Sequence, residues 1–108
     1  MKPRRVNAVV SVVDVEANAA WYTTFFGRSA DRRLSDLAEW QLTDNAALQL
    51  ILDPYGAGSS IVALDVDDMD GVLAELEHHD IIPETIIDGT ATITDPAGNR
   101  IRITVHHP

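Results

Sequence analysis

The chain contains no cysteine, which excludes a disulfide framework, a thiolate nucleophile and any cysteine-ligated zinc or iron–sulfur site. Cations are scarce: 8 Lys and Arg stand against 17 Asp and Glu, a formal net charge of −9 at pH 7. Such a field repels phosphate backbones and anionic lipid, so nucleic acid and membrane surfaces are not expected partners. Aromatic residues make up 6% of the chain, two each of Trp, Tyr and Phe, so each one has a place to be accounted for. No apolar run approaches the ~20 residues of a membrane helix. The opening Met1-Lys2-Pro3-Arg4-Arg5 is not followed by the apolar core of a signal peptide, and a cytoplasmic location is expected. Nor do the six glycines form a phosphate loop or a dinucleotide fingerprint.

What is present suits one compact domain over residues 1–108, burying about 65% of the surface of the unfolded chain. Val6 to Val13 is β-branched and apolar, the composition of a buried strand. Asp14 then offers a helix N-cap, Val15, Ala19, Tyr22 and Phe26 recur at helical spacing, and Gly27 offers a left-handed stop. Three short strands follow, Ala30 to Leu34, Glu39 to Thr43 and Ala47 to Leu52, with Asp44-Asn45 as a tight hairpin turn. The stretch 54–60 is rich in Pro, Gly and Ser and reads as a connector. After it the pattern restarts. Ile61 to Val66 is a strand, and Met69, Val72, Leu73 and Leu76 form a helical apolar stripe that Pro83 closes off. Thr85 to Asp88, Thr90 to Thr94 and Arg100 to His106 are further strands, the last two joined by the turn Asp95-Pro96-Ala97-Gly98-Asn99.

A shift of 54 residues lays Asp14 on Asp68 and Val12 on Val66. Neither half can bury a sheet face alone, so two must pack together. The expected fold is α+β: two βαβββ modules, at 4–53 and 61–107, forming curved mixed sheets around a cavity.

These residues also resemble a known family. Val13-Asp14-Val15-Glu16-Ala17, Trp21-Tyr22 and Phe26-Gly27 look like the opening pattern of the vicinal oxygen chelate superfamily. That superfamily includes glyoxalase I, extradiol dioxygenases and bleomycin-resistance proteins. Val66-Asp67-Asp68 resembles its second-half start, and Asp95-Pro96-Ala97-Gly98-Asn99-Arg100-Ile101 its C-terminal hairpin. The resemblance runs from Val6 to Val105 and implies that fold, which hosts both enzymes and binders. It also implies a homodimer. The enzymes' four metal-ligand positions fall here on Asn7, Gln49, Ile61 and Arg102. Ile61 has no donor atom and Arg102 brings a permanent positive charge, so no metal or other cofactor is expected.

Strand alternation extends that set to a candidate ligand cavity. Asn7 brings Val9 and Ser11 to its face, Ile61 brings Ala63 and Asp65, and Arg102 brings Thr104. A two-residue turn at Asp44-Asn45 sets Trp40 opposite Gln49 and Leu42 opposite Ala47, so Trp40 and Leu42 are expected in the cavity too. Trp40 serves there as a stacking platform or at a subunit interface; Asn7 meets ligand or backbone; Arg102 meets ligand or pairs with Asp65. Trp40→Ala is accordingly expected to weaken binding and spare the fold. Trp21, Tyr22, Phe25 and Phe26 read as core. His78-His79 and His106-His107 lack partners for a metal site. The function expected is a metal-free small-molecule binding protein of the bleomycin-resistance type, sequestering an aromatic or cationic compound. The alternatives are a lyase, isomerase or dioxygenase with a non-standard site, and a dimeric scaffold with a vestigial cavity.

Overall fold

A computed structural model describes residues 1–106; His107, the last residue of the expected second module, and Pro108 lie outside the described residues. The first module runs β1 (Val6–Val12), α1 (Val15–Phe26), β2 (Arg32–Leu34), β3 (Leu37–Thr43) and β4 (Ala46–Leu52). The second runs β5 (Ile61–Val66), α2 (Met69–His78), β6 (Thr85–Ile87), β7 (Thr90–Thr94) and β8 (Arg100–Val105). Each module forms a four-stranded sheet, ordered β1-β4-β3-β2 and β5-β8-β7-β6. In each, the edge pair β1–β4 or β5–β8 is parallel and the rest are antiparallel. This is the expected pair of βαβββ modules.

The repeat extends to the helix caps. Asp14 accepts a hydrogen bond from Ala17 N and Asp68 one from Gly71 N, both at 3.0 Å. Each cap satisfies one of the orphan amides of a helix start and contributes about 1 kcal/mol. Gly27 ends α1 at φ +75°, a conformation glycine reaches without a Cβ penalty.

The core lies between the helices and one face of each sheet. Val10, Val12, Ala38, Trp40, Leu48 and Leu50 fill it from the first sheet, and Val62, Ala91, Ile93, Ile101 and Ile103 from the second. From α1, Tyr22 and Phe26 set their rings 5.9 and 5.8 Å from the Trp40 ring. Trp21 stacks on Phe25 at 5.2 Å, so the four α1 aromatics pack as a group.

The modules are joined by a buried polar knot. Asp95 Oδ1 accepts the N–H groups of Ala97 and Asn99, and Asp95 Oδ2 accepts the Tyr22 hydroxyl at 2.7 Å. The Asn99 amide donates to Ser11 O, and its oxygen accepts the N–H groups of Gly58 and Ser60. One side chain thereby ties the β7–β8 turn to the connector and to β1. Each of these buried polar groups has a partner, which a buried group requires to avoid a cost of about 1–3 kcal/mol.

Candidate functional site

The helices cover one face of each sheet and leave the other open. Register defines the open faces. On the first sheet Val9 lies opposite Gln49, and Gln49 opposite Glu39; on the second Ala63 lies opposite Arg102, and Arg102 opposite Thr92. Because Val9 and Ala63 are related by the repeat, Gln49 and Arg102 occupy equivalent places, as do Glu39 and Thr92. Asn7, Val9 and Gln49 thus share one open face, and Ile61, Ala63, Asp65, Arg102 and Thr104 the other.

Trp40 and Leu42 do not join them. The hairpin turn is at Asp44-Asn45 as expected, with Thr43 paired to Ala46, but the next pair is Gln41 with Ala47. Leu42 is the extra residue of a β-bulge, which moves all earlier positions of β3 to the opposite face. Trp40 therefore pairs with Leu48, is fully buried under α1, and donates its indole N–H to Arg28 O at 2.9 Å. Leu42 packs against the same core. The expected stacking platform is a core residue.

Polar groups around the bulge hold it in place. Gln41 N donates to Asp31 Oδ2 at 2.7 Å, Arg28 donates to Gln41 O, and Gln41 Nε2 donates to Thr43 O. The Gln41 amide, with the Arg28 guanidinium beside it, holds the Asp31 carboxyl below its ordinary pKa.

The bulge also brings Glu39 to the open face, which sequence reading missed. It is 7% exposed, and its Oε1 accepts Gln49 Nε2 at 2.7 Å and Arg5 Nη2 at 3.0 Å. Arg5 also bonds Gln41 Oε1. The signal was in the hydrophobic pattern. Only the bulged register sets Trp40 against Leu48 and Glu39 against Gln49, apolar with apolar and polar with polar.

Ser11 lies on the first open face but is taken up by the connector. Its hydroxyl donates to Asp53 Oδ2, its N–H to Ser60 Oγ, and its carbonyl accepts Asn99. On the second sheet Asp65 accepts the Thr104 hydroxyl at 2.7 Å and lies 3.9 Å from His106 Nδ1. Arg102 makes no salt bridge with Asp65 or any other carboxylate among the described residues. A hollow of about 320 Å³ adjoins it, lined by Thr85, Ile87, Asp88, Thr90, Thr92 and Arg102. A separate, mostly apolar cavity of about 200 Å³ lies in the helix layer, with Phe25, Phe26, Val72 and Leu76 in its wall.

The donor set does not fit the divalent metal that enzymes of the resembled family hold. Asn7 and Gln49 offer neutral amide oxygens, Ile61 nothing, and Arg102 a cation. Glu39 adds one carboxylate, already paired with Arg5. No cluster of three His, Asp or Glu suited to a metal occurs among the described residues.

This pair of open sheets on a shared helical core is the glyoxalase/bleomycin-resistance fold. A glyoxalase/bleomycin resistance protein from Catenulispora acidiphila superposes with a TM-score of 0.86 and 27% identity, over 95% of this chain and 98% of that one. A bleomycin-binding protein from Streptomyces verticillus, solved with copper(II)-bleomycin, gives 0.82 at 20% identity, covering 99% of each chain. A lactoylglutathione lyase from Agrobacterium tumefaciens gives 0.72 at 20%, over 95% and 94%. No family model matches the chain, and no curated protein sequence does. The fold and these likenesses support the vicinal oxygen chelate superfamily, as the motifs imply. Among the described residues no helix is long and apolar enough to cross a membrane.

Proposed function

We propose that the chain is a metal-free, cytoplasmic small-molecule binding protein whose site is built on the two open sheet faces. The observation that carries this reading is the chemistry of those faces: Asn7, Val9 and Gln49 on one, Ile61, Ala63, Arg102 and Thr104 on the other. A mixed apolar wall with a few hydrogen-bonding groups suits recognition of a small organic molecule. The bleomycin-binding relative, solved with its ligand, supports binding without supplying the ligand's identity here. The acidic composition still favours approach of a cation, but Trp40 no longer offers a ring to stack on it.

The working unit in this reading is a homodimer of chains, each one domain with modules 4–53 and 61–107. Val9, Leu34, Ile61 and Ile87 are each about half exposed or more on the open faces. A second copy closing over these faces removes that apolar surface from water and converts two open sheets into enclosed cavities.

Native mass spectrometry of protein purified without chelator tests the proposal. A dimer free of divalent metal that carries or takes up a small organic mass is the expected result. One metal bound per chain, or a monomer with no uptake, overturns it.

A further inference from the structure

Resting on that binding reading, we propose that the open face of the second sheet takes the oxyanion end of the ligand. That end is a carboxylate or a phosphorus oxyanion carried on an apolar body. The inference comes from comparing equivalent places in the two modules. On the first sheet the acceptor Glu39 is matched by its own donors, Gln49 and Arg5. On the second the equivalent pair is Thr92 and Arg102, donors on both sides with no carboxylate between them.

The surroundings add further donors. Thr85 and Thr90 line the same hollow as Arg102. Arg100 stands two residues along β8 on the same face, opposite Thr94, whose buried hydroxyl makes no hydrogen bond. The one carboxylate facing Arg102 from a neighbouring strand position, Asp65, is already accepting from Thr104. A guanidinium presents a planar fork of N–H groups that matches an oxyanion bidentately, and threonine hydroxyls complete the ring of donors. In a chain of net charge −9, such a donor-rich patch is the exception. Asp88, which lines the same hollow, opposes an anion and sets a limit on its affinity.

Three probes sharing one phenylbutyl body test this: 5-phenylpentanoate, 4-phenylbutylphosphonate and 4-phenylbutanol, titrated into the intact protein and followed by amide NMR. The anions are expected to bind more tightly than the alcohol and to shift Thr90, Thr92 and Arg102. The tighter of the two anions identifies carboxylate or phosphorus oxyanion as the source. Arg102→Ala should weaken both anions about tenfold or more while leaving the alcohol unchanged. Arg102→Lys should recover part of the loss, and Asp88→Asn should tighten the anions. Arg102 is exposed, so an unchanged thermal melt is expected for each variant and separates binding from folding. Equal binding of alcohol and anions, or anion affinity unchanged in Arg102→Ala, overturns the oxyanion assignment and leaves the binding reading standing. If no probe shifts any open-face residue, both fall.

Discussion

Replacing Trp40 separates a core role from a cavity role. The indole is fully buried, its ring lies 5.9 Å from Tyr22 and 5.8 Å from Phe26, and its N–H is bonded to Arg28 O. Truncating such a residue to alanine costs about 3–5 kcal/mol for lost contacts and the cavity left behind. The lost hydrogen bond adds about 1 kcal/mol. Against a total stability of about 5–15 kcal/mol, Trp40→Ala leaves a marginal or unfolded protein. Trp40→Phe keeps most of the ring contact and loses the hydrogen bond, at about 2 kcal/mol, and is the variant that stays measurable. Urea denaturation followed by circular dichroism is the assay, with the slope against denaturant unchanged and the midpoint lowered. A Trp40→Ala protein with a wild-type midpoint and weakened ligand binding would falsify the bulged register and return the indole to the open face.

Three further outcomes follow from the module junction. Asn99→Ala removes a side chain that donates to Ser11 O and Asp95 and accepts from Gly58 and Ser60, and should cost about 3 kcal/mol in the same assay. A loss below that of the exposed control Asn45→Ala, about 0.5 kcal/mol at most, would refute the junction role. Burial, then the Asp95 charge and hydrogen bond, raise the Tyr22 pKa, so the folded state keeps a proton that an unfolded tyrosine releases near about pH 10. Its contribution is intact below that pH and is lost as pH rises above it. Wild-type stability should therefore fall more steeply between about pH 9 and about pH 11 than that of Tyr22→Phe, and equal slopes contradict the assignment. Gly58 sits at φ +90°, where an added Cβ would lie 3.0 Å from Ala97 O, whereas Gly89 at φ +76° faces open space. Gly58→Ala should cost about 1–3 kcal/mol and clearly more than Gly89→Ala; the reverse order would show that the connector yields freely.

Local signals were legible because their causes are local. Asp14, Asp68 and Gly27 act within one turn of the chain, and a carboxylate or a missing Cβ at those places has one dominant use. The faces of β5 and β8 follow from alternation alone, since no bulge interrupts them. The face of β3 did not, because a single extra residue reverses it and turn composition does not reveal one. Leu42 hides the bulge by being apolar, at home in either register until the partners of Trp40 and Glu39 are compared. Ser11 was illegible for another reason. Its partners Ser60 and Asn99 lie far along the chain, and no spacing rule connects them.

The repeat explains why one fold presents two unlike faces. Duplicated backbone register places residues at equivalent points, but side-chain chemistry at those points is free to diverge, because neither open face is needed for the core. In the first module the divergence produced a self-satisfied cluster: Arg5 and Gln49 saturate the acceptor on Glu39 that faces them. A buried carboxylate so held gains little from a ligand cation, since binding must first displace partners already in hydrogen-bond contact. In the second module Arg102, Thr85, Thr90 and Thr92 line the hollow, and pairing their donors with an incoming acceptor displaces no carboxylate partner of Arg102 among the described residues. On the binding reading proposed above, selectivity therefore comes from which face is already satisfied rather than from net charge.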